Sequence, residues 1–270
     1  MPWTFSHPLA VVPLYRLGRE RLNFAALVIG SLSPDFAYYV RQFPVARFAH
    51  TLPGTLTICV PTGLVVLAIF YALRRPLCFI LPQPHRSALM PLASGRPCWS
   101  LRNSGIAAGS MLVGAWTHTF WDSFTHHGAW AVERIPILSA PLIRIGGTAL
   151  PLSYLLQQLS TFGAGAALAL IYFLWLRRQG AGPESARDSF PDRWRYLLLG
   201  ALAVIAVAAA APFALQMASR YEGYMAFRVF IFRIGVYSTS AFLPLLVLCS
   251  VVLYSKFGRF GPADYHETPS

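Results

Sequence analysis

The stretch "LLLGALAVIAVAAAAPFAL" runs from Leu197 to Leu215 without one charged residue. Such a run is too apolar to be solvated. As a helix rising about 1.5 Å per residue, it matches a hydrocarbon core about 30 Å thick. It lies in the segment 196–217, and four more segments are of comparable length: 54–73, 104–122, 151–176 and 231–254. The chain is therefore expected to be an all-α, polytopic helical membrane protein with about five spanning helices. Composition agrees, since 56% of its 270 residues are hydrophobic and only 12% charged. A soluble domain carries about twice that charged fraction. One integral membrane domain over 1–258 is expected, followed by a disordered tail over 259–270 that includes "GPADYHETPS". The start "MPWTFSHPLA" lacks the basic and long apolar regions of a cleavable signal, so the first apolar elements are expected to be retained.

The net charge of +12 could suggest a nucleic-acid partner, but the arginines fall mainly between the apolar segments. That placement is the mark of membrane topology and anionic lipid contact, and no nucleic acid is expected. Residues 74–103 carry Arg74, Arg75, Arg86, Arg96 and Arg102. Residues 177–195 carry Arg177, Arg178, Arg187, Arg193 and Arg195. The positive-inside rule assigns both stretches, read as irregular connectors, and the C-terminus to the cytoplasm. Residues 123–150 then face outward. The four cysteines form no CxxC pair, so neither a zinc ribbon nor a disulfide framework is indicated.

Two shorter apolar runs precede the first spanning segment. "SHPLAVVPLYRL" has Ser6 as an N-cap candidate and Pro8 in the first turn. At about 18 Å of helix it is too short to span. "NFAALVIGSLSPDF" is similarly short and is expected to end at Ser33-Pro34, because a residue before proline disfavours helix. The pair reads as a helical hairpin that enters the membrane partly and returns, setting His7 level with Asp35.

The most polar spanning segment ends in "THTFWDSFTHH". On a helix, His118, Asp122 and His126 follow at i, i+4 and i+8 and share one face. An aspartate in the apolar core costs about 2.5–3.5 kcal/mol on insertion scales, so such a group is usually paired or functional. Histidine and carboxylate together suit zinc, with manganese or iron as further choices. The arginine-based topology also brings His7, Asp35 and His50 to the outer side. The candidate metal ligands are thus His7, Asp35, His50, His118, Asp122 and His126, with Asp35 or Asp122 as candidate catalytic base. The bland reading is a buried lock in which Asp122 pairs with a histidine or arginine. Gln157, Gln158, Ser160 and Thr161 are candidates to support the ligands or to make ordinary interhelical contacts. Arg228 and Arg233 are expected to snorkel. Neither a P-loop nor a GxSxG elbow occurs, and "RIGGTALP" reads as a loop.

"WTFSHPLAVVPL", "ALVIGSLSPDFAYYV", "FAHTLPGT", "GAWTHTFWDSFTHHG" and "LPLSYLLQQLSTFGAG" together resemble the bacterial membrane proteins of domain-of-unknown-function family 4184. The resemblance covers residues 1–176 and implies a multi-pass protein of the bacterial cytoplasmic membrane. A looser similarity, through Pro34-Asp35, His50-Thr51 and His118 with Asp122, is to membrane-bound metal-dependent hydrolases. Their "PDxDH" run is absent, since "FAYYV" follows Asp35. This likeness implies a divalent metal and hydrolysis of a membrane-associated ester or phosphoester, with lipids as partners and a lipid or lipid-linked substrate. Two other classes stay open: a transporter using the His/Asp set as proton relay, and a structural membrane protein whose polar cluster sets helix register.

Overall fold

The computed structural model describes residues 3–18, 21–95, 100–145, 148–179 and 190–258; the expected tail lies outside them. The chain begins with a 3-10 turn, Thr4–Ala10, that passes into helix α1, Val11–Gly18. Ser6 is not the N-cap. It lies inside the turn, and its hydroxyl donates to the Trp3 carbonyl at 2.6 Å. Helix α2, Phe24–Leu32, is capped by Asn23, whose side chain accepts from the Ala26 amide at 2.9 Å. Pro34 ends the α-helical geometry without ending the helical path. It sits at the start of a 3-10 turn, Ser33–Asp35, where its missing N–H is not needed. Short helices α3, Phe36–Tyr39, and α4, Phe43–Ala49, follow.

Thr51 then caps α5, Leu52–Gly54, and a π-helical turn, Thr55–Cys59, leads into α6, Val60–Phe79. The expected connector 74–103 is instead partly helical. Helix α6 continues through Pro76, and α7 occupies His85–Ser94. Its prolines suggested a loop, but Pro76 and Pro91 are accommodated within helices. Ser100 caps α8, Leu101–Thr125, by accepting from the Asn103 amide at 3.1 Å. Beyond it lie α9, Trp130–Arg134, and α10, Pro136–Ser139. An antiparallel hairpin of β1, Pro141–Ile145, and β2, Thr148–Pro151, pairs Arg144 with Ala149. "RIGGTALP" thus spans the hairpin rather than a plain loop. Long helices α11, Leu152–Arg178, α12, Asp192–Ala218, and α13, Gly223–Phe257, complete the order.

The fold is that of an all-α polytopic membrane protein. Among the described residues, four helical stretches are long and apolar enough to cross a membrane: Leu52–Phe79, Leu152–Arg178, Asp192–Ala218 and Gly223–Phe257. The fifth expected segment, 104–122, lies inside α8, which at 25 residues has the length. Its interior is more polar because it carries the His/Asp motif.

The described residues pack as two compact units, one drawn from 1–69, 98–174 and 218–229, the other from 70–97, 175–217 and 230–258. The first is organised by α2 against α8, with Ala26, Leu27, Ala107, Met111 and Ala115 buried. The two backbones meet at glycines. A Cβ on Gly30 would strike the Met111 carbonyl, and one on Gly114 the Leu27 carbonyl. In the second unit Arg195, read above as a loop charge, is fully buried. It donates to the carbonyls of Phe79 and Phe190, pairs with Asp192 at 3.4 Å, and lies 4.7 Å over the Phe79 ring. A guanidinium has both the donors and the flat face for this role. Likewise Arg228 lies 4.3 Å over the Tyr154 ring in the first unit, and in the second Arg233 donates to the Tyr237 hydroxyl.

Gly114→Ala should destabilise the protein by about 1–3 kcal/mol, because the obstacle is backbone and cannot rotate away. Gly109→Ala, whose Cβ would enter open space, should leave thermal unfolding in detergent nearly unchanged. Equal unfolding midpoints for the two variants would contradict the close helix crossing.

Candidate functional site

The first unit brings all six candidate residues together. The N-terminal 3-10 turn carries His7, the turn after α2 carries Asp35, and α4 is followed by His50. Helix α8 carries His118 and Asp122 one turn apart. The N-terminal turn and Asp35 lie level with each other, since the Thr4 hydroxyl donates to Asp35 Oδ2 at 2.6 Å. His7, Asp35, His118 and Asp122 are buried; His50 is partly so.

Asp122 occupies the centre. Its Oδ2 lies 3.3 Å from His118 Nε2 and 3.5 Å from His50 Nε2. Its Oδ1 lies 3.6 Å from both His7 Nε2 and His126 Nδ1. Asp35 Oδ1 lies 3.4 Å from His50 Nε2 and 3.7 Å from His118 Nε2. His126 reaches this set by a route other than the expected one. Helix α8 ends at Thr125 and His126 is extended (φ −109°, ψ 132°), so i+8 stacking does not apply. Its ring turns back over the helix end, with Nδ1 3.1 Å from the Asp122 carbonyl.

Backbone carbonyls fix two of the rings. His118 Nδ1 lies 2.7 Å from the Ser31 carbonyl, and His50 Nδ1 lies 2.7 Å from the Ala46 carbonyl. A carbonyl only accepts, so each Nδ1 carries the proton and each Nε2 turns toward the carboxylates. Carbonyl-oriented imidazoles of this kind are typical of metal ligands. Four buried atoms, His7 Nε2, Asp35 Oδ1, His118 Nε2 and Asp122 Oδ1, have no hydrogen-bond partner. Buried polar atoms are rarely left so, because each unmade bond costs about 1–3 kcal/mol. His7, His118 and Asp122, and separately Asp35, His50 and His118, present donor atoms close enough to hold an ion.

A cavity of about 960 Å³ opens onto this cluster through His50, Asp122 and His126. Arg47 and Tyr38 lie on its wall, with Trp116, Phe120 and Trp130 as exposed aromatic lining. Burial, and then the carboxylates of Asp35 and Asp122, push the Tyr38 phenol up to about 12, so it remains a proton donor. Burial alone would lower the His50 imidazole, but Asp122 and Asp35 outweigh it and raise it to about 10. Sequence reasoning did not single out Thr4, Tyr38 or Arg47. Arg47 precedes His50 by three residues, a spacing that sets both on one side of a turn and was available in "ARFAH".

Among the expected supporting residues, Gln157 is buried, with Nε2 3.4 Å from His126 Nε2. Thr161 accepts from the Trp3 amide at 3.1 Å, tying α11 to the N-terminal turn. Ser160 donates within its own helix.

Residues 1–251 match the family described as Domain of unknown function (DUF4184), so the match runs well past the motif-bearing segments. No curated protein and no solved structure matches the chain.

Thr4→Val should cost about 1–3 kcal/mol of stability by leaving Asp35 Oδ2 buried without its donor, while Thr4→Ser should retain most of it. Thermal unfolding in detergent distinguishes them, and indifference to Thr4→Val would mean that this hydrogen bond does not support Asp35.

Proposed function

Because the chain belongs to the DUF4184 family, whose description names no activity, we propose a function from the geometry: metal-dependent hydrolysis of a membrane-associated ester. One observation carries this reading. Asp35 Oδ1, His50 Nε2, His118 Nε2 and Asp122 Oδ2 lie 3.3–3.7 Å apart in the four pairs between carboxylate and imidazole. Donors about 2.0–2.2 Å from one tetrahedral ion are separated by about 3.3–3.6 Å. These four separations suit a divalent cation, zinc first, with manganese or iron as the alternatives, and a hydrolytic ion there would take its water as a further ligand. Two carboxylates would also offset the ion's charge.

When bound, such an ion supplies Lewis-acid polarisation of the scissile group and activation of a water. The chain's own residues do the rest. Asp35 is fully buried, and its Oδ2 is engaged by Thr4. It is therefore a ligand and not the catalytic base. Asp122 faces the cavity but is likewise a ligand through Oδ2, so deprotonation of the water rests on the ion rather than on a free carboxylate. The Tyr38 phenol, protonated at neutral pH, is positioned on the wall to donate to a departing oxygen. Arg47 on the same wall suits a phosphate group. With Trp116, Phe120 and Trp130 around the opening, this favours a phosphoester on a lipid over a small neutral ester. In this reading the cavity opens at the outer face of the bacterial cytoplasmic membrane, and the arginine-rich segments and C-terminus lie in the cytoplasm.

Metal analysis of detergent-purified protein should find bound zinc, manganese or iron, lost in a His118→Ala/Asp122→Ala double variant that remains monodisperse. The wild-type protein should hydrolyse phospholipid in mixed micelles, and the variant should not. Metal affinity should rise with pH by up to about tenfold per unit below about pH 10, because His50 must release its proton to ligate. No bound metal after loading with each ion would overturn the proposal. A reporter active only outside the cytoplasm, fused after Phe257, should stay silent; activity there would reverse the orientation.

A further inference from the structure

An ion held by Asp35, His50, His118 and Asp122 Oδ2 leaves two buried atoms unsatisfied. These are His7 Nε2 and Asp122 Oδ1, 3.6 Å apart. That separation is too long for a hydrogen bond between them, and it equals a donor–donor edge around a second ion. His126 Nδ1 lies 3.6 Å from the same Oδ1 on another side. The rings explain why one ion does not serve every donor. His7 and His118 are stacked, with centroids 3.7 Å apart and planes 15° from parallel. Lone pairs in the planes of stacked rings run side by side and do not converge. Here each is directed at a different oxygen of Asp122: His118 Nε2 at Oδ2, 3.3 Å away, and His7 Nε2 at Oδ1.

From this arrangement we infer a second divalent-cation position, formed by His7 Nε2, Asp122 Oδ1 and His126 Nδ1, with the Asp122 carboxylate bridging the two ions. The inference rests on the metal reading above. A carboxylate engaged through both oxygens, beside imidazoles stacked at 3.7 Å, suits ions about 3.5–4 Å apart, the spacing of two-metal hydrolytic sites. The two positions differ in kind. The first has four protein donors and draws on the sealed Asp35. The second has three, so although each has two donors on the cavity wall, His50 and Asp122 for the first and Asp122 and His126 for the second, the second keeps a coordination place free. That place has room for water or a substrate oxygen. His126 Nδ1 faces the Asp122 carbonyl at 3.1 Å and the Thr125 hydroxyl at 3.2 Å and by the same rule carries the proton there, so to ligate it must give up that proton and turn toward the ion. Gln157, 3.4 Å from His126 Nε2, braces the far side of that ring.

The pair of positions also assigns the substrate chemistry. Two adjacent cations with Arg47 on the wall present three positive centres to one group, which a phosphate can answer with several oxygens and a carboxylic ester cannot.

The test is metal counting joined to magnetic resonance on the full-length protein in detergent, loaded with manganese and freed of excess ion. Two ions per chain and an exchange-coupled manganese spectrum are expected. His7→Ala should reduce the count to one and leave the six-line spectrum of an isolated ion. A wild-type count of one with a six-line spectrum would overturn the second position while leaving the first intact. A count of one that falls to zero in His7→Ala would also overturn it, by making His7 a ligand of a single ion. A wild-type count of zero would sink the metal reading on which both positions rest. The wild-type count and spectrum decide the matter even if the variant fails to fold.

Discussion

Two buried carboxylates packed among imidazoles form the constraint around which the first unit is arranged. Asp35 is wholly buried and Asp122 nearly so. Burying one ionised carboxylate without compensation is prohibitive, and burying two side by side is worse. The chain offers them Thr4, His7, His50, His118 and His126 from three separate stretches of sequence. Each stretch must end where it does for the centre to be tolerable. The short N-terminal turns, the 3-10 turn at Pro34 and the helix termination at Thr125 follow from this electrostatic requirement as much as from local propensity.

Delivery of those groups depends on a close helix crossing. Ser31, whose carbonyl orients His118, lies on α2, and His118 lies on α8. The two helices reach that contact because Gly30 and Gly114 remove the side chains that would hold them apart. A packing feature and a chemical feature are thus one device. The glycines set the distance between backbones, and that distance sets the direction in which an imidazole lone pair points.

Much of this was legible in the sequence, for reasons particular to each element. Long apolar runs declare themselves because burial in lipid leaves helix as the economical way to satisfy the backbone. Their number depended on α8, whose polar end both weakens its apolar signal and forms the site. The six clustered residues were found because ionisable groups stand out in an apolar chain, and because arginine placement put them at one level. The contributions of Thr4 and of the Ser31 and Ala46 carbonyls were not legible, since they are hydrogen bonds between distant segments. Helical residues 74–79 and 85–94 were missed because proline normally argues against helix, and Arg195 because a charge between apolar segments resembles a solvated loop. Residues 177–251 carried weak motifs, yet the family match extends across them.

X-ray absorption at the metal edge tests the central claim most directly. Protein purified without chelator should show a first shell of nitrogen and oxygen at about 2.0–2.2 Å, with the outer-shell scattering of imidazole rings. A first shell containing sulfur, or a metal signal without imidazole scattering, would contradict a centre built from His7, Asp35, His50, His118, Asp122 and His126.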